Sequence, residues 1–174
     1  MLSVRTMPAE RARGCNWVEA ALSFADIARN RGTVASTPII DANGIYFDGT
    51  DDAIAYDLTG KTFYSFDFEG VVYSANEELF QIAAGVDVSV SGGNVVGTGF
   101  TAPTYYVNGV ATAVCPTGSR VHIAVVDTTA IAGGTAYLAR VGAAFGNIRS
   151  KIVRLWNAQL TLAEAADYFH QRVF

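Results

Sequence analysis

The sequence predicts an all-β chain that ends in one short helix. Three observations carry that prediction. From Thr33 onward apolar and polar residues alternate in short runs, the period of a half-buried strand. Tight-turn pairs separate the runs: Asn43-Gly44, Asp48-Gly49, Asn108-Gly109 and Gly133-Gly134. Near the C-terminus, Thr161-Leu162-Ala163-Glu164 reads as a capping box, with Leu160 placed for a hydrophobic staple. Ala165, Tyr168 and Phe169 then form one apolar helix face.

Taken in order, residues 1–14 read as an Arg-rich extended arm, and residues 15–174 as a single domain. Asn16 to Asn30 fits either period: Trp17, Ala20, Ala21, Phe24 and Ile27 at helical spacing, or Val18, Ala20, Leu22 and Phe24 along a strand. Lys61 to Tyr73 is the longest strand candidate. Phe66 and Phe68, with Tyr64 in phase, line one face; Ser65, Asp67 and Glu69 line the other. Glu77 to Val90 reads as two strands around Gly85. Ser91-Gly92-Gly93 and Gly97-Thr98-Gly99 read as loops. Tyr105 to Val110 runs into an Asn-Gly turn, Val121 to Val126 is apolar enough for a central strand, and Gly133-Gly134 leads into Tyr137 to Val141. Ser150 to Trp156 alternates as a last strand before the capped helix.

At 174 residues the chain can bury a real core as one domain. Charged residues make up 16%, below the usual quarter, which fits either a surface partly covered by other subunits or simply a Val- and Ala-rich β-domain with few charges. Mean hydropathy is +0.25, yet no run reaches the length of a membrane helix. Residues 1–31 carry five arginines against three acids, residues 32–119 one lysine against ten acids, and residues 120–174 six bases against three acids. An acidic middle between basic ends suits contact between subunits and argues against nucleic acid as a partner. Met1 is not followed by a signal-peptide h-region, which sets the expectation of folding in a cytoplasm. Cys15 and Cys115 are too few for a disulfide framework, and with His122 and His170 they show no zinc spacing. No cofactor is expected.

Three stretches resemble concanavalin A-like, or laminin G-like, domains, and they occur in that superfamily's order. They are Tyr46-Phe47-Asp48-Gly49-Thr50-Asp51-Asp52-Ala53-Ile54, then Tyr106-Val107-Asn108-Gly109-Val110 with Val121-His122-Ile123-Ala124-Val125-Val126, then Ile152 to Glu164 with Tyr168 closing. The resemblance implies a jelly-roll sandwich of two antiparallel sheets with one short C-terminal helix. It implies little about function, because the fold hosts lectins, glycosidases and structural modules.

Asp67 and Glu69 stand two apart on one strand face, about 7 Å, near the separation of paired glycosidase carboxylates. Glucanases of the resembled fold carry a further Glu two residues before the Asp; here that position is Ser65, so no catalytic residue is assigned and a solvated acidic face is the alternative. Asp48, Asp51 and Asp52 are candidate calcium ligands, or acids that shape a turn. His122 reads as a satisfied histidine inside an apolar strand. Tyr105 and Tyr106, with Asp67 and Glu69, are the candidate glycan-binding residues. Trp156 could join such a platform, although the resemblance implies a core position under the final helix.

The expectation drawn from all this is a non-enzymatic structural protein of a phage virion, a capsid decoration or head- or tail-fibre module. It would oligomerise and attach to other virion proteins through Arg5, Arg11 and Arg13 of the arm. The alternative is a carbohydrate-binding module that recognises a host glycan. Neither reading calls for nucleic acid or a membrane.

Overall fold

The structure, a computed structural model, describes residues 15–19 and 32–170. The expected arm, with Arg5, Arg11 and Arg13, lies outside the described residues. So does most of the ambiguous Asn16–Asn30 stretch, whose first part falls in a strand, Cys15–Glu19.

Strands are numbered in chain order. The smaller sheet has six: β2 (Thr33–Ala35), β5 (Ala53–Asp57), β13 (Thr135–Leu138), β7 (Glu77–Ala83), β8 (Val86–Ser91) and β9 (Asn94–Thr98), side by side in that order. The larger sheet has eight. Its order is β11 (Val110–Ala111), β10 (Thr104–Val107), β12 (Arg120–Ala132), β6 (Thr62–Val72), β16 (Asn147–Trp156), β4 (Gly44–Asp48) and β3 (Ile39–Asp41), with β1 (Cys15–Glu19) also on β16. A small hairpin, β14 (Arg140–Val141) with β15 (Ala144–Phe145), stands apart, and α1 (Leu162–His170) is a short helix near the C-terminal end. The pairings are antiparallel, and the whole is the expected jelly-roll sandwich. Asn94–Thr98 corrects one expectation: Gly97 and Thr98 belong to strand β9 rather than to a loop.

The core lies between the sheets. Phe66, Phe68 and Val72 of β6, Ile123 and Val125 of β12, and Val153 and Leu155 of β16 point inward against Phe80 and Leu79 of β7 and Val88 of β8. Phe66 and Phe80 meet across the sandwich with ring centroids 5.8 Å apart. The long strand candidate is therefore central, as is Val121–Val126.

The outer face of the larger sheet carries a second, smaller core. Trp156, Ala124, Val126, Leu160 and Ala165 are buried together, with Tyr106 packed against them. Helix α1 supplies the cover, and its start is fixed as the sequence predicts. The Thr161 amide donates to Glu164 Oε2 at 2.8 Å, and the Glu164 amide donates to Thr161 Oγ1 at 3.3 Å. Ser65 joins sheet to turn: its hydroxyl donates to the Ala158 carbonyl at 2.9 Å and accepts from the Leu160 amide at 3.0 Å. The Asn108-Gly109 turn fits beneath the helix, because a Cβ at Gly109 would stand 3.1 Å from Ala166 Cα and φ there is +75°. Asn108 also pairs with β12, accepting from the His122 amide through Oδ1 at 2.9 Å. The hairpin motif and the strand motif that follows it are thus physically one unit.

Trp156 is fully buried, so the core position is the one it takes. Trp156→Ala should cost about 3–5 kcal/mol in denaturant melts, by opening a cavity under α1. A loss below about 1 kcal/mol would show that the helix closes over the gap.

Candidate functional site

The outer face of the larger sheet divides into two ends. At the end near α1, β6 presents Ser65, Asp67 and Glu69, all buried. This corrects the expectation of a solvated acidic face. Cross-strand pairing explains the burial. Asp67 lies directly opposite Arg154 on β16 and Ala124 on β12. Alanine leaves room, so His122 reaches Asp67 diagonally. Arg154 Nε stands 2.7 Å from Asp67 Oδ2, and His122 Nε2 stands 2.7 Å from Asp67 Oδ1. Burial alone would raise the Asp67 pKa; the Arg154 guanidinium and the His122 imidazole beside it more than offset it and hold the carboxyl at about 2. Glu69 pairs with Arg120. The crevice lined by Glu69, Arg120, Val121, His122 and Phe169 measures about 10 Å³, room for one water at most. No sugar ring reaches Asp67.

The other end is open. Here β6 runs out of Val71 into Tyr73, which is 40% exposed. Arg149 of β16 pairs with Val71 on one side and Tyr46 of β4 on the other, and Tyr46 pairs in turn with Ile39 of β3, which is 58% exposed. Val71, Arg149, Tyr46 and Ile39 therefore share the outward face, and Tyr73, two residues past Val71, continues it. Tyr46 and Tyr73 meet edge to face, 5.8 Å between centroids. The Arg149 guanidinium lies 5.4 Å from the Tyr46 ring centroid and donates to Asp41 Oδ1 at 2.7 Å. Burial disfavours the Arg149 charge, but hydrogen bonds to Tyr73 and Asp41 outweigh it and raise its pKa. Two tyrosine rings, one exposed, flanked by a fixed guanidinium and a carboxylate make a surface that can stack a sugar face and hydrogen-bond its hydroxyls.

A β-bulge sets this arrangement. Ser150 pairs with Gly70 and Ile152 with Glu69, leaving Lys151 as the extra residue. Gly70 is required there, since a Cβ would run into the Arg149 carbonyl oxygen.

The sequence-predicted residues distribute unevenly. Tyr106, Asp67 and Glu69 share the outer face, but Tyr106 packs on the small core and both carboxylates are buried in ion pairs. Tyr105 points the other way, against the main core, and its hydroxyl accepts from the Gly97 amide at 3.1 Å. The four do not form one exposed glycan surface, because neighbouring residues of a strand face opposite sides. Asp52 is buried and accepts from the Thr37 amide at 3.0 Å and the Asp48 amide at 3.3 Å, while Asp48 accepts from Thr50 at 2.8 Å. These acids shape the turn; Asp51 is exposed. Among the described residues no group of three His, Cys, Asp or Glu could hold a metal. Cys115 is buried, which pushes its thiol up to about 11.

A second concavity, about 340 Å³, lies between the β7–β8 turn and the irregular part of β12. Its buried acid, Asp127, is engaged by the amides of Thr101 at 2.6 Å and Thr129 at 3.0 Å, and the remaining lining is mostly alanine and glycine. The exposed tyrosine end is the better site.

No protein-family model and no curated protein sequence matches the chain. Solved structures do. A Trypanosoma rangeli sialidase in complex with sialic acid aligns over 79% of this chain at 11% identity and a TM-score of 0.55. A mutant of that sialidase displaying trans-sialidase activity aligns over 79% at 12% identity and 0.54. The catalytic domain of a GH87 α-1,3-glucanase in complex with tetrasaccharides aligns over 85% at 13% identity and 0.45, too low to bear on the argument. The chain spans 29% of the sialidase chains, so the likeness is one of fold. The expectation of a phage-virion structural protein is corrected by this finding: the similar structures are sialidases, and nothing in them connects the chain to a virion.

Two outcomes follow from the buried network. Asp67→Asn should cost about 3–5 kcal/mol, because it removes the carboxylate charge that Arg154 and His122 face inside the sheet. The wild-type midpoint should also be acid-sensitive. The folded pKa, about 2, lies below the ordinary 3.8, so the unfolded chain takes up the proton first. The stabilisation is complete above pH of about 4 and is lost as pH falls towards 2. Thermal melts across that window should show a steeper fall for the wild type than for D67N.

Proposed function

We propose that the protein is a carbohydrate-binding module of concanavalin A-like architecture, acting without catalysis, and that sugar binds at Tyr46, Tyr73, Arg149 and Asp41. The observation that carries this is the half-exposed Tyr73 ring beside Tyr46, with Arg149 and Asp41 fixed around them. Aromatic rings bury the apolar face of a sugar, and a small number of oriented polar groups set specificity. The sandwich supports the reading as a fold shared with sugar-handling proteins. The non-catalytic part rests on β6. Its two carboxylates are committed to Arg154, His122 and Arg120, and Ser65, standing where the glucanase pattern has a third acid, is occupied by the turn into α1.

Titration calorimetry against a panel of oligosaccharides tests the reading. At least one should bind, and Tyr73→Ala should weaken it about tenfold or more while leaving the thermal midpoint within a few degrees. The same preparation should hydrolyse none of the bound sugars. Binding unchanged in Tyr73→Ala would move the site elsewhere, and turnover abolished by Glu69→Gln would make the protein an enzyme.

A further inference from the structure

The Asp41 carboxylate is held at one oxygen and open at the other. The Asn43 amide and Arg149 Nη1 both donate to Oδ1, each at 2.7 Å. Among the described residues none donates to Oδ2. Asp41 stands opposite Gly44 on β4, which carries no side chain, so the guanidinium has room to cross β4 and reach it. The pair is unevenly exposed: the Arg149 side chain is 20% exposed and that of Asp41 40%. A ligand arriving beside the Tyr46 and Tyr73 rings therefore meets a fixed acceptor, its charge already balanced by the guanidinium behind it. Ligands of different charge fare differently there. An anionic group has no proton to give Oδ2, and it can reach Arg149 only by drawing it off Asp41. A cation gains from Asp41 and loses to Arg149 close by. A hydroxyl donates to Oδ2, carries no charge and still accepts from another donor.

We infer that the site takes a neutral glycan and that Asp41 selects it, accepting a sugar hydroxyl at Oδ2 while the exposed Tyr73 ring holds the sugar face. The inference rests on the carbohydrate-binding reading and adds the ligand's charge and the residue that sets it. The two bonds at Oδ1 fix the carboxylate before any ligand arrives, so little side-chain freedom is lost on binding. Asp41 also separates selection from folding, because it ends strand β3 and belongs to neither core.

Calorimetry on the full chain tests this with trimers of β-1,4-linked glucose and of α-1,4-linked galactose, each as the neutral sugar, the C6 carboxylate and the C2 amine, beside the neutral panel. The neutral form should bind about tenfold more tightly than either charged form. In Asp41→Asn the donors at Oδ1 orient the amide so that its NH2 stands where Oδ2 stood. The bound neutral sugar should then weaken about tenfold, and its margin over the carboxylate should shrink. In Tyr73→Ala the forms that bind should weaken together, with their ratios kept. A charged form that binds as tightly as its neutral parent overturns the inference and leaves the carbohydrate reading standing. So does a neutral sugar, from the trimers or the panel, whose affinity is the same with Asp41 and with Asp41→Asn. If no probe and no member of the panel binds, both fall. The comparison of charge forms in the unsubstituted protein decides the matter even where Asp41→Asn fails to fold.

Discussion

A carboxylate with no exposure, in the middle of a sheet, has to be matched or it cannot stay charged. Asp67 is matched twice, by Arg154 across one strand boundary and by His122 across the other. These contacts run between β12, β6 and β16, the three strands at the centre of the larger sheet. Everything on the outer face follows from this. The charges are satisfied within the sheet, so an apolar layer of Trp156, Leu160 and Ala165 can close over the adjoining surface. Such a pair is not by itself a large source of stability, since desolvation takes back much of the attraction. Its force lies in what it forbids: a register slip of one residue would strand a buried charge.

The same closure decides where a ligand can sit. Helix α1 and the charge network occupy one end of the face, and the Tyr46 and Tyr73 rings gather with Arg149 at the other. The division runs along β6 and just past its end, where the outward series changes from serine and acids at Ser65, Asp67 and Glu69 to Val71 and then Tyr73.

Much of the fold was legible because its signals are local. The capping box at Thr161–Glu164 needs only four residues, and each of its bonds forms. The Asn108-Gly109 turn, the strands either side of Gly85 and the inward Phe66 and Phe68 are likewise set by period and turn chemistry. The site was less legible because it is assembled across strands. Tyr46, Tyr73 and Arg149 come from three separate strand runs, and only sheet order and register bring them together. Parity offered one clue: Tyr73 continues the Ser65, Asp67, Glu69 series and so lies on the same face. Tyr105 and Tyr106 misled because adjacency in sequence means opposite faces in a strand. The charge state of Asp67 could not be foreseen either, since His122 and Arg154 lie 55 and 87 residues away.

The bulge at Lys151 has a bearing on how such a protein can change. An extra residue inserted between two registers belongs to neither, so the alternation of Ile148, Val153 and Leu155 into the core does not depend on what stands there. Replacing Lys151 alters the surface without shifting the pleat on either flank. The bulge is thus a place where the surface can vary almost independently of foldability, while Gly70 on the facing strand, paired with Ser150 and pressed against the Arg149 carbonyl, is held fixed.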